Sequence, residues 1–147
     1  MRVLPRRDFL AGGFTVLGLG ASRRTRGGVR QSIAFDAPPF TLGVASGEPT
    51  PDGVVLWTRL APDPLHGGGM PDDDIEVSWE VARDERIRDV AQRGTAVATP
   101  LLGHTVHAEV EGLEPARWYW YRFRAGAEVS PIGRTRTLPA PGAPVDR

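Results

Sequence analysis

The 147-residue chain has no cysteine, and no lysine either: all 18 of its basic residues are arginine. Without lysine there is no P-loop, which needs its Gly-Lys-Ser/Thr, and no Schiff-base amine. Without cysteine there is no disulfide, thiolate metal site, cysteine nucleophile or lipid-modified N-terminal cysteine, so packing alone must hold the fold. Long apolar runs are also missing. The best candidate, the eleven residues Phe9 to Leu19, is broken by Gly12, Gly13, Thr15 and Gly18. A hydrocarbon core needs about 20 helical residues, so no stable membrane anchor is expected. The remaining composition, 40% hydrophobic and 24% charged, is that of a soluble globular protein with room for one ordinary domain and its tails.

The formal net charge of +0 hides an asymmetry. Residues 1–30 hold seven arginines against one acid, Asp8, whereas residues 40–139 hold ten arginines against fifteen acids. A mildly acidic body argues against a phosphate-backbone-binding surface, and no nucleic-acid partner is expected. The basic start is an address. Arg6-Arg7-Asp8-Phe9-Leu10 followed by the interrupted apolar run has the order of a signal peptide. Its core, with Arg6, Arg7, Phe9 and Leu10, resembles the twin-arginine export signal, which carries folded proteins across the bacterial inner membrane. Residues 1–22 are read as that signal, with Gly20-Ala21-Ser22 as the cleavage region, and residues 23–39 as an Arg- and Gly-rich linker. The expected location is periplasmic or extracellular in a bacterium.

From Phe40 onward the hydrophobic period is two. Gly43 to Ser46 and Val54 to Leu60 read as strands joined through a turn-rich stretch, with Val55 and Trp57 on one face of the second. Ile75 to Val81 alternates without a fault. Between them Pro62 to Asp74, with three prolines, three glycines and three aspartates in a row, is a long loop. Arg83 to Arg93 has a weak helical look, and Thr95 to Ala98 favours a strand. His104 to Glu111 alternates again, placing Val106, Ala108 and Val110 opposite His107 and Glu109. A last strand runs from Gly133 to Leu138.

The most informative string is Gly112-Leu113-Glu114-Pro115-Ala116-Arg117-Trp118-Tyr119. Leu113, Pro115 and Tyr119 match the L-x-P-x-x-x-Y turn of fibronectin type III domains, whose tyrosine corner sends the hydroxyl back to nearby backbone while the ring enters the core. With Tyr119 inward, period two turns Tyr121 and Phe123 inward and Trp118, Trp120, Arg122 and Arg124 outward. Residues 40–139 are thus expected to form an all-β, fibronectin type III or immunoglobulin-like sandwich of about seven antiparallel strands.

Four further strings narrow the resemblance: Phe40 to Gly47 (FTLGVASG), Gly53 to Leu60 (GVVLWTRL), Trp118 to Phe123 (WYWYRF) and Gly133 to Thr137 (GRTRT). Together with the export signal they resemble the N-terminal domain of PhoD-like alkaline phosphatases, a family of phosphomonoesterases and phosphodiesterases. That resemblance implies a calcineurin-like metallophosphoesterase catalytic domain, binding iron and calcium, directly after residues 140–147. No motif of that domain matches any residue here. The chain is therefore expected to be a truncated or split form that carries a non-catalytic accessory domain, with no catalytic residue, metal site or cofactor of its own. The alternative is a free-standing secreted module that recognises carbohydrate or protein.

Few other residues compete for a chemical role. His104 and His107 are three apart, which throws them to opposite faces of a strand rather than onto one metal. Asp72-Asp73-Asp74 lacks the six to eight oxygen ligands of a calcium loop and reads as solvated. His66, beside three glycines, has no nucleophile in its local pattern. Trp118 and Trp120 with Arg122 and Arg124 are different, because two outward indoles need cover. That cover is expected to be a partner catalytic domain, since Trp and Arg are common interface anchors, or else the Pro62–Asp74 loop.

Overall fold

The computed structural model describes residues 33–144, so the export signal at Arg6, Arg7, Phe9 and Leu10 lies outside the described residues. Among the described residues eight strands follow one another: β1 (Val44–Gly47), β2 (Val54–Arg59), β3 (Ile75–Ala82), β4 (Val90–Ala98), β5 (Thr105–Val110), β6 (Trp118–Ala125), β7 (Glu128–Val129) and β8 (Gly133–Arg136). A 3-10 turn at Pro100–Leu102 precedes β5. Among the described residues no helix is long and apolar enough to cross a membrane.

The strands make two sheets, one in the order β1-β2-β5 and the other β4-β3-β6-β7, with β8 also paired to β6. Every pairing is antiparallel. A three-stranded sheet facing a five-stranded one is a fibronectin type III-like sandwich. Period-two burial fixes which side faces in: Val54, Leu56 and Thr58 of β2 are buried while Val55, Trp57 and Arg59 are partly exposed. Leu56, Leu60, Ile75, Val77, Val81, Val106, Tyr119, Tyr121 and Phe123 form the centre of the core. Each buried aliphatic side chain contributes about 1.5–3 kcal/mol.

Two local readings of the sequence change. Arg83 to Asp89 is a turn, not the start of a helix, and β4 begins already at Val90. The cause is Asp84, whose carboxylate accepts the backbone N–H groups of Arg86, Arg88 and Asp89 at 2.9, 2.9 and 2.6 Å. Those donors would otherwise serve helical carbonyls. Ile87 at the turn's tip takes φ 54° and is buried, which fixes the loop to the core at the expense of helical dihedrals. The linker also ends early. Ile33 and Phe35 pack against the core, and Pro39 is fully buried with its carbonyl accepting from Ala61 N–H at 2.8 Å.

Candidate interface on the outer face of the larger sheet

Strand β6 runs through the larger sheet between β3 and the β7/β8 edge. Its inward residues Tyr119, Tyr121 and Phe123 are fully buried, and Tyr121 meets Phe123 edge-on with ring centroids 6.4 Å apart. Trp118, Trp120, Arg122 and Arg124 lie on the other face. Register then decides their neighbours. Arg136 and Arg134 stand opposite Trp118 and Trp120 on β8, Glu80 and Ser78 stand opposite Arg122 and Arg124 on β3, and Arg93 and Thr95 come next on β4.

This face therefore gathers Arg93, Arg122, Arg124, Arg134 and Arg136, half of the ten arginines between residues 40 and 139. Arg122 pairs with Glu80 at 2.8 Å. Among the described residues, Arg93, Arg124, Arg134 and Arg136 form no ion pair. The guanidiniums of Arg134 and Arg136 lie instead 4.4 and 5.6 Å from the centroid of Trp118, within cation–π range. Trp118 stays 45% exposed. The Pro62–Asp74 loop does not cover it. That loop folds back on itself through an Asp63–Gly68 bridge, and Asp63, Met70 and Pro71 line a cavity with residues 33–37.

The start of β6 is fastened from several directions. The Tyr119 hydroxyl oxygen accepts the Glu114 N–H at 2.8 Å, while Leu113 is buried and Pro115 is exposed beside it. Thr137 Oγ1 accepts from Arg117 N–H at 3.1 Å and donates to the Glu114 carbonyl at 2.6 Å. Glu114 also pairs with Arg117 and Arg83, and the Arg117 hydrogen bond in particular holds its carboxyl below the usual range. The chain leaves the domain here. Exposed Leu138 follows Thr137, and a cavity of about 620 Å3 lined by Ala116, Arg136, Thr137, Leu138, Pro139, Ala143 and Pro144 opens beside it.

The remaining polar candidates stay apart. His104 is buried with Nε2 3.0 Å from the Asp73 carbonyl oxygen, His107 is exposed on β5, and His66 meets Asp63 at 2.9 Å on an exposed loop. Among the described residues no group of three or more His, Asp and Glu side chains is placed to hold a metal ion. The donors among the described residues do not fit an iron or calcium centre.

A family model described as "PhoD-like phosphatase, N-terminal domain" matches residues 26–139. The chain belongs to this family. Alkaline phosphatase D of Bacillus subtilis (strain 168) is 52% identical over 145 residues, which is 95% of this chain and 25% of that protein. A solved structure of PhoD superposes with a TM-score of 0.77 at 60% identity, over 78% of this chain and 22% of that one. A fibronectin type III domain derived from human KIAA0970 protein is more distant, with a TM-score of 0.46 at 16% identity over 70% of this chain and 77% of that one. The chain thus spans about a quarter of the length of the two PhoD relatives. For this PhoD-like domain, Arg93, Arg134 and Arg136 join the face without having been singled out from sequence. The Arg-Thr-Arg alternation of β8 was a usable signal, whereas Arg93 needed the β3–β4 register.

Proposed function

We propose that this chain is the non-catalytic N-terminal accessory domain of an exported PhoD-like alkaline phosphatase or phosphodiesterase. The observation that carries the proposal is the family match over residues 26–139, at about a quarter of the relatives' length. The iron and calcium implied by the family belong, on this reading, to a metallophosphoesterase domain in cis or on a separate chain. Export follows the twin-arginine route through residues 1–22.

The domain docks on that partner through the Trp118 end of its outer face. Three features support this: the exposed indole, the two guanidiniums stacked on it, and the nearness of Arg136, opposite Trp118, to the exit of the chain at Leu138. The test is a fusion of this chain to the catalytic portion of a PhoD-like phosphatase, with and without Trp118→Thr and Trp120→Thr. Docking gives one cooperative thermal transition and full activity, and the double change splits the transition and lowers kcat/KM. Identical unfolding and kinetics in the two fusions would remove the docking surface from the proposal.

A further inference from the structure

The outer face carries a second feature, distant from Trp118. Between two rows of side chains, Ser78, Thr95 and Arg124 on one side and Glu80, Arg93 and Arg122 on the other, lies a trough of about 230 Å3. Its floor is the row Phe123, Trp79 and Gly94. Phe123 is buried, Trp79 packs against the core and Gly94 has no side chain, so nothing rises from that floor to fill it. Flanking rows are about 7 Å apart along the strands and neighbouring strands about 5 Å apart. Three guanidiniums and two hydroxyls from three strands can therefore reach one opening.

Its charge is unbalanced. Glu80 engages Arg122 through both Nε and Nη2, at 2.9 and 2.8 Å, which fixes that guanidinium in place. Arg93 and Arg124 are exposed and form no ion pair among the described residues. Ser78 Oγ makes only a long hydrogen bond, 3.5 Å, to the Arg124 carbonyl oxygen, and Thr95 is exposed. On a body with ten arginines against fifteen acids, such a concentration is a local positive site rather than a general surface property.

We propose that this trough binds a tetrahedral oxyanion, the phosphate group of a phosphomonoester or phosphodiester. Guanidinium forks match phosphate oxygens, and Arg93 from β4 with Arg122 and Arg124 from β6 approach a tetrahedral group from the two strands that flank β3, whereas one fork satisfies a planar carboxylate. The hydroxyls of Ser78 and Thr95 supply neutral donors to the remaining oxygens. The site stands on this geometry and does not depend on the docking contact. Arg124 is six residues from Trp118 along β6, about 20 Å away.

The experiment is an amide-resolved NMR titration of the chain with inorganic phosphate at constant ionic strength, with chloride and acetate as controls and methyl phosphate and dimethyl phosphate as ester probes. The expected result is saturable shifts centred on Ser78, Arg93, Thr95, Arg122 and Arg124, with a dissociation constant on the order of millimolar. Arg93→Gln and Arg124→Gln should each weaken binding about fivefold, whereas Arg86→Gln on the exposed β3–β4 turn should leave it unchanged. Saturable binding of methyl phosphate alone assigns a monoester, and binding of dimethyl phosphate as well assigns a diester. An equal response to chloride or acetate, shifts spread over all arginines, or no loss in either trough variant would overturn the proposal.

Discussion

Tyr119 buries its ring and offers its hydroxyl oxygen to the Glu114 N–H, so Tyr119→Phe keeps the shape and strands a backbone donor. The expected cost is about 1–3 kcal/mol, read as a lower urea midpoint at unchanged slope. An unchanged midpoint would show that the freed donor finds water. Gly133 faces Tyr121 across the β6–β8 pair, where an added Cβ would sit 2.3 Å from the ring Cζ. Gly133→Ala should therefore cost about 1–3 kcal/mol by overpacking, and a neutral result would mean that β8 can shift. Titration bounds the stable range from both sides. The Asp89, Arg86 and Arg88 N–H groups hold Asp84 below the usual carboxylate range, as Arg117 and Arg83 hold Glu114. Depressed folded values mean stability that is present above about pH 4 and lost as pH falls through them. Burial raises the Tyr121 hydroxyl, so the opposite loss begins above about pH 10, where the unfolded chain ionises first. Thermal midpoints measured from pH 3 to 11 should fall at both ends. Asp84→Asn should flatten the acid limb and Tyr121→Phe the alkaline one.

Strand β6 shows what an element reveals before its neighbours are known. Alternation along Trp118 to Arg124 separates the core residues from the outward ones because side-chain direction in a strand is a local property. Which other strands flank it is a property of pairing, and pairing depends on turn lengths and on contacts far apart in sequence. That is why Arg122 and Arg124 were legible while Arg93, 29 residues before Arg122, was not. The turn at Arg83 to Asp89 was obscured for a related reason. Its apolar spacing permits a helix, and a single carboxylate capturing three backbone donors decides otherwise. At this scale Trp118→Thr with Trp120→Thr should leave the chain folded and reduce its self-association in analytical ultracentrifugation, since Thr suits a strand surface. Outright unfolding would place the indoles in the core. Arg6→Lys with Arg7→Lys should abolish delivery of a folded reporter to the periplasm, and undiminished export would show that another segment is the signal.

Across the whole molecule, net charge concealed the segregation of charge. Half of the arginines of an acidic domain stand on one sheet face, where two tryptophans and a trough break the surface into separate regions. The sandwich supplies rigidity and faces. The titratable groups it holds serve turns and corners: Asp84 closes a loop, the Glu114 carboxylate ties Arg83 to Arg117 at the β6 corner and His104 anchors a carbonyl. We propose that this domain assists a phosphatase without hydrolysing esters itself. The most direct measurement is turnover of p-nitrophenyl phosphate and bis(p-nitrophenyl) phosphate by the purified chain with iron and calcium supplied. The expected result is no hydrolysis above the buffer rate; metal-dependent turnover proportional to the chain's concentration and lost on heating would contradict it.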